Sequence, residues 1–255
     1  MLEKILEAAD RRAATADVNH DAFVTAAGLS EPARPFATAI SSPGLSVIAE
    51  IKRRSPSAGD IDRDLDPVAT ALRYEAGGAD AISVLTEPHF FGGSLADMAE
   101  VKEAVSVPVL RKDFTRSAAQ IWEARAAGAD AVLLIVATLS EEQLVRLLDV
   151  ARDIGIDAIV EAHSTAEVAV ADASGATIIG VNNRDLATFI TDLSVAEQAA
   201  TFLPDHVITI GESGVSDVEG AARMASAGYD AILVGEALVR SEDPASLVAL
   251  LKGVT

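Results

Sequence analysis

Charged and amide side chains recur in this sequence where apolar runs break off, and their types suit acid and base chemistry. Ser46-Val47-Ile48-Ala49-Glu50-Ile51-Lys52-Arg53-Arg54-Ser55-Pro56-Ser57 starts as an apolar run, then sets a carboxylate and an amine two positions apart before a Ser-Pro turn. On a strand, side chains alternate, so Ile48, Glu50 and Lys52 share one face while Val47, Ala49 and Ile51 share the other. Similar breaks follow at Leu110-Arg111-Lys112-Asp113-Phe114, Val160-Glu161-Ala162-His163, Gly180-Val181-Asn182-Asn183-Arg184-Asp185 and Gly211-Glu212-Ser213-Gly214. Brought together, two lysines, two or more carboxylates, an amide and a guanidinium would make a proton-transfer site for an anionic substrate. Crowded opposite charges shift one another's pKa and supply both donor and acceptor. Taken singly, the same residues permit blander uses: an edge strand with a solvated Glu/Lys pair, or ion pairs that only fill space.

A repeat supplies the means of bringing them together. Ala76-Gly77-Gly78-Ala79-Asp80-Ala81-Ile82, Ala126-Ala127-Gly128-Ala129-Asp130-Ala131-Val132, Ala173-Ser174-Gly175-Ala176-Thr177-Ile178-Ile179 and Ala225-Ser226-Ala227-Gly228-Tyr229-Asp230-Ala231-Ile232 are variants of one theme. Each reads as a helix end, a glycine free to take a positive φ, a short polar link and a strand. Further strands are expected at 107–112, 157–161 and 207–211, with the opening strand at 46–51, which makes eight alternating with helices. Apolar strands between helices imply a parallel sheet covered on its outside, and eight units fit a (βα)8 TIM barrel better than an open doubly wound sheet. The first βα turn also lacks Gly-x-Gly-x-x-Gly, which disfavours a dinucleotide fold. In such a barrel the chemistry sits at the carboxyl ends of the strands, so all these breaks would face one mouth.

Residues 1–255 are expected to form a single domain, with 1–45 a helical extension and 46–255 the barrel. In the extension a helix is expected from Met1 to about Val18, followed by a weaker stretch from Phe23 to Phe36 broken by Pro32 and Pro35. At the far end of the chain, Gly211, Gly214 and Gly235 would expose backbone N–H groups. Gly235 leads into a short helix from Glu236 to Arg240, and Ser55 could add a hydroxyl. Loops and helix ends of this kind form phosphate cradles in barrels, so the expected ligand is a small phosphorylated molecule.

Composition narrows the classes further. The chain has no cysteine, and His20, His89, His163 and His206 have no ligand spacing, so no metal is expected. A net charge of -19 argues against nucleic acid and anionic membrane surfaces. Only five of the twenty basic residues are lysine, a bias that suggests a halophilic, high-salt cytoplasm in which acidic surface charge is screened. The first residues are amphipathic rather than a basic stretch before an apolar core, and no apolar run approaches the roughly 20 residues of a membrane span. A cytoplasmic protein is expected. Two other functions remain open on the residues alone: a Schiff-base aldolase in which Lys112 attacks a carbonyl, and a non-catalytic barrel that binds a phosphorylated ligand.

Glu50-Ile51-Lys52-Arg53-Arg54-Ser55-Pro56-Ser57, with Lys112-Asp113-Phe114, Glu161-Ala162-His163, Asn182-Asn183-Arg184-Asp185-Leu186 and Gly211-Glu212-Ser213-Gly214, resembles the indole-3-glycerol-phosphate synthases of tryptophan biosynthesis. The resemblance runs from the first helix to the last strand. It implies conversion of 1-(2-carboxyphenylamino)-1-deoxyribulose 5-phosphate to indole-3-glycerol phosphate, with release of carbon dioxide and water and no cofactor. By motif, Lys112 resembles the principal general acid, Glu161 the base or proton relay of the later dehydration, and Lys52 a second acid that also holds the substrate carboxylate. Glu50 would orient and tune the lysines, Asn182 would position the substrate, and Arg184 would help bind its carboxylate. Phe91 and Phe114 would wall the pocket for the aromatic ring, with Leu133 beneath. Ser55, Ser213, Gly214, Gly235 and Glu236 match phosphate-binding positions. A monomer is expected, with other tryptophan-pathway enzymes as candidate partners. Two positions depart from the common pattern: Glu236 stands where some members carry serine, so only its backbone N–H suits a phosphate, and Ala162 replaces a larger apolar residue. Phosphate-binding barrel isomerases fit less well, because they would be expected to use Cys/Asp or Asp/Asp pairs at these strand ends.

Overall fold

In a computed structural model that describes residues 1–185 and 188–254, the apolar runs form eight strands: β1 (Ser46–Ile51), β2 (Ala81–Leu85), β3 (Val109–Lys112), β4 (Ala131–Ile135), β5 (Asp157–Ala162), β6 (Ile178–Asn182), β7 (Ile208–Glu212) and β8 (Ala231–Val234). Leu186, the last residue of the Asn182 motif, lies outside the described residues. Neighbours in sequence pair in parallel, and β1 pairs with β2 on one side and β8 on the other, which closes the barrel. The edge-strand alternative for β1 is thereby removed, since all six of its residues are buried.

The two-residue side-chain period sorts each strand between two apolar layers. Ile48, Leu110, Leu133, Ile159, Ile178, Ile210 and Leu233 fill the barrel interior. Val47, Ala49 and Ile51, with their counterparts on the other strands, pack outward against the helices. Those helices are α4 (Pro67–Ala76), α5 (Leu95–Ala104), α6 (Ala118–Ala126), α7 (Glu141–Asp153), α8 (Thr165–Ala173), α9 (Ser194–Ala199), α10 (Val218–Ser226), α11 (Glu236–Arg240) and α12 (Pro244–Lys252). Many start on a side chain that satisfies otherwise unpaired N–H groups: Asp66 accepts from Val68 and Ala69, and Ser140 and Gln143 make a reciprocal box.

The repeated glycines 78, 128, 175 and 228 all take positive φ, between 82° and 91°, as the motif requires. The aspartate that follows three of them has a purpose the repeat did not announce. Asp80 accepts from the N–H of Val47, Asp130 from that of Val109 and Asp230 from that of Thr209. Each carboxylate thus ties the start of one strand to the loop entering another. An antiparallel ribbon, Arg54–Ser55 with Gly59–Asp60, follows β1 and was not anticipated.

The extension spans the barrel from end to end. Helices α1 (Leu2–Val18) and α2 (His20–Leu29) lie against α6, where the His20 ring meets Trp122 edge-on at 6.3 Å. The prolines of residues 30–35 then break the helical run before α3 (Phe36–Ile40). Phe36 and Ile40 are both 0% exposed and join the barrel-interior cluster, so α3 plugs the amino-terminal end. Asp157 and Asp130, at the starts of β5 and β4, accept from the backbone N–H groups of Ala37 and Arg34 and hold the plug in place.

Candidate active site

At the opposite, carboxyl end of the strands lies a cavity of about 470 Å³. It is lined by Glu50, Lys52, Ser55, Phe91, Lys112, Phe114, Leu133, Glu161, Asn182, Arg184, Ser213, Gly214, Gly235 and Glu236, all singled out from the sequence. Barrel closure makes this happen, because strand-end positions far apart in sequence become neighbours around one ring. Gly211 is the exception among the expected backbone donors. It lies inside the ladder opposite Val181 and Ile232, where an added Cβ would meet Met224 Sδ at 2.9 Å, so it serves packing rather than the mouth.

Lys112 occupies the centre. Its Nζ donates to Glu161 Oε2 at 2.7 Å and lies 3.1 Å from Glu212 Oε2. Just past the end of β1, two strands round the barrel, Lys52 Nζ donates to Glu50 Oε1 at 2.6 Å. Phe91 and Phe114 face each other across the apolar side with ring centroids 6.3 Å apart and a 42° tilt. Arg184 donates to the Ser57 hydroxyl at 2.9 Å and to the Phe189 carbonyl at 3.2 Å, while Asn182 Oδ1 accepts from the Arg184 N–H. Ser213, at φ 62°, and Gly214, at φ 90°, turn the chain sharply at the end of β7. Glu236 sends its side chain along α11 to accept from Arg240 Nε, and both residues line the cavity.

The carboxylates have unequal fates. Burial opposes charge on Glu161, but the Lys112 ammonium and the His163 ring outweigh it and hold this carboxyl well below the usual range. Glu212 is pushed up to about 8, chiefly by burial and also by the Glu161 charge, with Lys112 only partly compensating. One carboxylate and one carboxylic acid therefore share a single ammonium, a separation that suits a base and an acid in one site. Burial alone would lower Lys112, yet Glu161, Glu212 and Glu50 together raise it above an ordinary lysine. It stays an ammonium, which is the wrong state for a nucleophile that must form an imine.

Glu212 and His163 were passed over in the choice of site residues. Glu212 ends β7 as Glu161 ends β5, so the strand-end signal was present, but its distance to Lys112 was not visible in sequence. A Cβ at Gly180 would intrude on Glu212 Oε1, and one at Gly235 would lie 2.5 Å from Glu50 Oε1. Gly180→Ala is thus expected to displace Glu212, destabilise the fold by about 1–3 kcal/mol through overpacking and reduce turnover. Thermal unfolding and kcat measured together test this, and an unchanged pair of values would show that Glu212 has room to move.

His163 bridges Glu161 and Glu167, with each ring nitrogen 3.3 Å from a carboxylate oxygen. Burial disfavours its charge, but hydrogen bonds to Glu161 and Glu167 raise it to about 10. Protonated His163 therefore stabilises the folded state fully below the unfolded histidine pKa of about 6.5, and the contribution is lost as pH rises toward 10. Urea denaturation midpoints across that window should fall less steeply in His163→Gln than in the wild type. Parallel slopes would show that the imidazolium does not contribute.

The family model described as indole-3-glycerol phosphate synthase matches residues 2–251. A Kineococcus radiotolerans protein of that name is 54% identical over 206 residues, covering 81% of this chain and 75% of its own length. One from Streptomyces griseus is 45% identical over 98% of this chain and 93% of its own, and one from Mycobacterium avium 47% identical over 98% and 92%. Among solved structures, 3-hexulose-6-phosphate synthase from Salmonella typhimurium superposes with a TM-score of 0.67 at 16% identity, over 82% of this chain and 97% of that one, a likeness of fold. By its sequence over nearly its whole length, carried on a closed eight-stranded barrel, the chain belongs to the indole-3-glycerol phosphate synthase family.

Proposed function

We propose that this cavity carries out the family's decarboxylating ring closure, converting 1-(2-carboxyphenylamino)-1-deoxyribulose 5-phosphate to indole-3-glycerol phosphate, carbon dioxide and water, with the residue roles given below. The chain is a lyase of this family. The observation that carries the assignment of roles is the Lys112 ammonium held between Glu161 and Glu212 at the floor of a cavity with one apolar side.

The substrate carries an anion at each end of an aromatic and ketone centre. Phe91, Phe114 and Leu133 offer the ring an apolar seat, while Lys52 and Arg184 offer its carboxylate positive charge. Ser55 and the backbone around Ser213, Gly214, Gly235 and Glu236 offer donors to the phosphate. In the first step the ring carbon bearing the carboxylate attacks the ketone carbon, and the ketone oxygen takes a proton from Lys112. The bond to the carboxylate then breaks, carbon dioxide leaves, and its electron pair restores the aromatic ring. In the last step the new hydroxyl departs as water with a proton from an ammonium or from the Glu212 carboxylic acid. Glu161 removes a proton from the neighbouring methylene, whose electrons form the double bond of the indole. Glu50 keeps Lys52 in place, and Asn182 orients the bound chain.

Fluorescence of the indole product on mixing purified protein with the carboxyphenylamino-deoxyribulose phosphate tests the reading. Its failure to appear from folded protein would overturn it. Borohydride added during turnover should trap nothing, since the raised Lys112 favours proton donation over imine formation. The proposal extends to one domain over residues 1–255, a monomer in the cytoplasm, and an acidic surface that keeps the protein active in high salt. Among the described residues no helix is long and apolar enough to cross a membrane. Activity that declines steadily from low to molar salt would remove the salt reading.

A further inference from the structure

Helix α1 stands outside the repeating barrel, yet it reaches the cavity: Leu2 and Ile5 are among its lining residues. One residue of that helix does more than pack. Arg12 donates from Nη1 to Glu87 Oε1 at 2.9 Å and from Nη2 to Asp113 Oδ1 at 2.6 Å. Both acceptors are buried, with side chains 0% and 2% exposed, and they follow the ends of β2 and β3.

Each of the two carboxylates already has a second task. Glu87 accepts the backbone N–H groups of His89, Phe90 and Phe91, which shapes the loop that presents Phe91 to the cavity. Asp113 accepts the backbone N–H of Phe114 through the same oxygen that Arg12 holds, while its other oxygen accepts from the Thr86 hydroxyl at 2.6 Å. One guanidinium therefore clamps the two acids that fix the two aromatic walls. A planar fork with several donors can do this; a single ammonium cannot reach both acceptors with the same geometry.

From this arrangement we infer that Arg12 is a positioning residue for substrate binding, which makes the seating of α1 and the spacing of the Phe91 and Phe114 rings one coupled event. The inference rests on the proposed reading of that cavity as the seat of the aromatic ring. Arg12 touches neither Lys112 nor Glu161 in the hydrogen bonds and ion pairs of the site, so it should govern how well the ring is held rather than the proton transfers that follow.

The test compares Arg12→Met and Arg12→Lys with the wild type by steady-state kinetics well below the unfolding temperature of each. Asp10→Asn is the control, because Asp10 on the same helix pairs with Arg116 and does not line the cavity. Arg12→Met should raise KM by on the order of tenfold or more with kcat changed little, as expected when a wall is displaced but the reacting groups stay in place. Arg12→Lys should recover part of the loss, and Asp10→Asn should match the wild type. Hydrogen exchange gives a second readout: added indole-3-glycerol phosphate, the product, should protect α1 amides in the wild type and, at the same concentration, not in Arg12→Met. An unchanged KM in Arg12→Met and Arg12→Lys, with only a lower unfolding temperature, would overturn the inference and leave Arg12 a purely structural tie. A wild type that makes no indole product would instead sink the functional reading on which it rests.

Discussion

Lys112→Met should lower kcat by roughly three to four orders of magnitude while the protein still folds. The lost proton donor accounts for about 10²–10⁴ of that, and the lost positive charge beside the forming alkoxide adds to it. Methionine keeps the apolar stem but leaves Glu161 and Glu212 facing each other without the ammonium between them, with only the His163 imidazolium still beside Glu161. Removing one member of a buried pair costs about 3–5 kcal/mol, so part of the cost should appear in stability. Its pH dependence has a definite sign. Lys112 is raised in the folded state, so its contribution is present below the ordinary lysine pKa and is lost as pH climbs above it. Glu161 is lowered, so its contribution is present above the ordinary carboxylate pKa and is lost as pH falls through its folded value. The difference in stability between wild type and variant should thus be widest around neutral pH and should shrink in acid. Circular dichroism to establish folding, single-turnover kinetics and denaturation at several pH values measure all three. A variant that retains more than about a tenth of wild-type kcat would remove Lys112 from its place as the acid of ring closure.

Glu161→Gln should also cost about 10²–10⁴ in the rate of indole formation, but at a different point in the sequence. The amide keeps the shape of the carboxyl and can accept from Lys112, yet it cannot take the methylene proton in the dehydration. Ring closure and loss of carbon dioxide should proceed, and the ring-closed, still hydroxylated species should accumulate. Chemical quench followed by mass spectrometry would show a mass equal to substrate less carbon dioxide, with no matching gain in indole fluorescence. Lys112→Met should instead leave substrate unchanged. If Glu161→Gln also leaves only unreacted substrate, Glu161 acts before dehydration, and the two residues serve one step together.

The contrast between these variants depends on the different states of the two buried acids. Glu161 and Glu212 both approach Lys112, but Glu161 also faces His163 and is held ionised, whereas Glu212 is lifted to about 8. A glutamine at 161 therefore removes a charge at neutral pH, which should lower the Lys112 pKa and make it a stronger acid as the base disappears.

Much of the architecture was legible because it rests on local rules. Alternation along Ser46–Ile51 assigned Ile48, Glu50 and Lys52 to one face, and the structure places Ile48 in the interior cluster with both charged residues on the cavity above it. The glycines of the repeat announced their positive φ values because no other residue adopts that conformation as readily. The short helix from Glu236 to Arg240 was readable from its leading glycine. Strand-end residues could be collected into one site because a parallel barrel turns every carboxyl end the same way.

Sequence by itself therefore determined the barrel, the end of it that carries the chemistry, and the types of residue gathered there. Tertiary structure decided which of those residues touch. The Lys112–Glu161 contact joins residues 49 positions apart, and Arg12 reaches acids 75 and 101 positions away. The choice of Glu212 as a second partner of Lys112 depends on the register of β6 against β7 and on the space left by Gly180. Periodicity reports the direction of a side chain from its own backbone, a local property. Distances across the barrel, and the burial that sets Glu161 and Glu212 apart, exist only once the eight strands have closed into a ring.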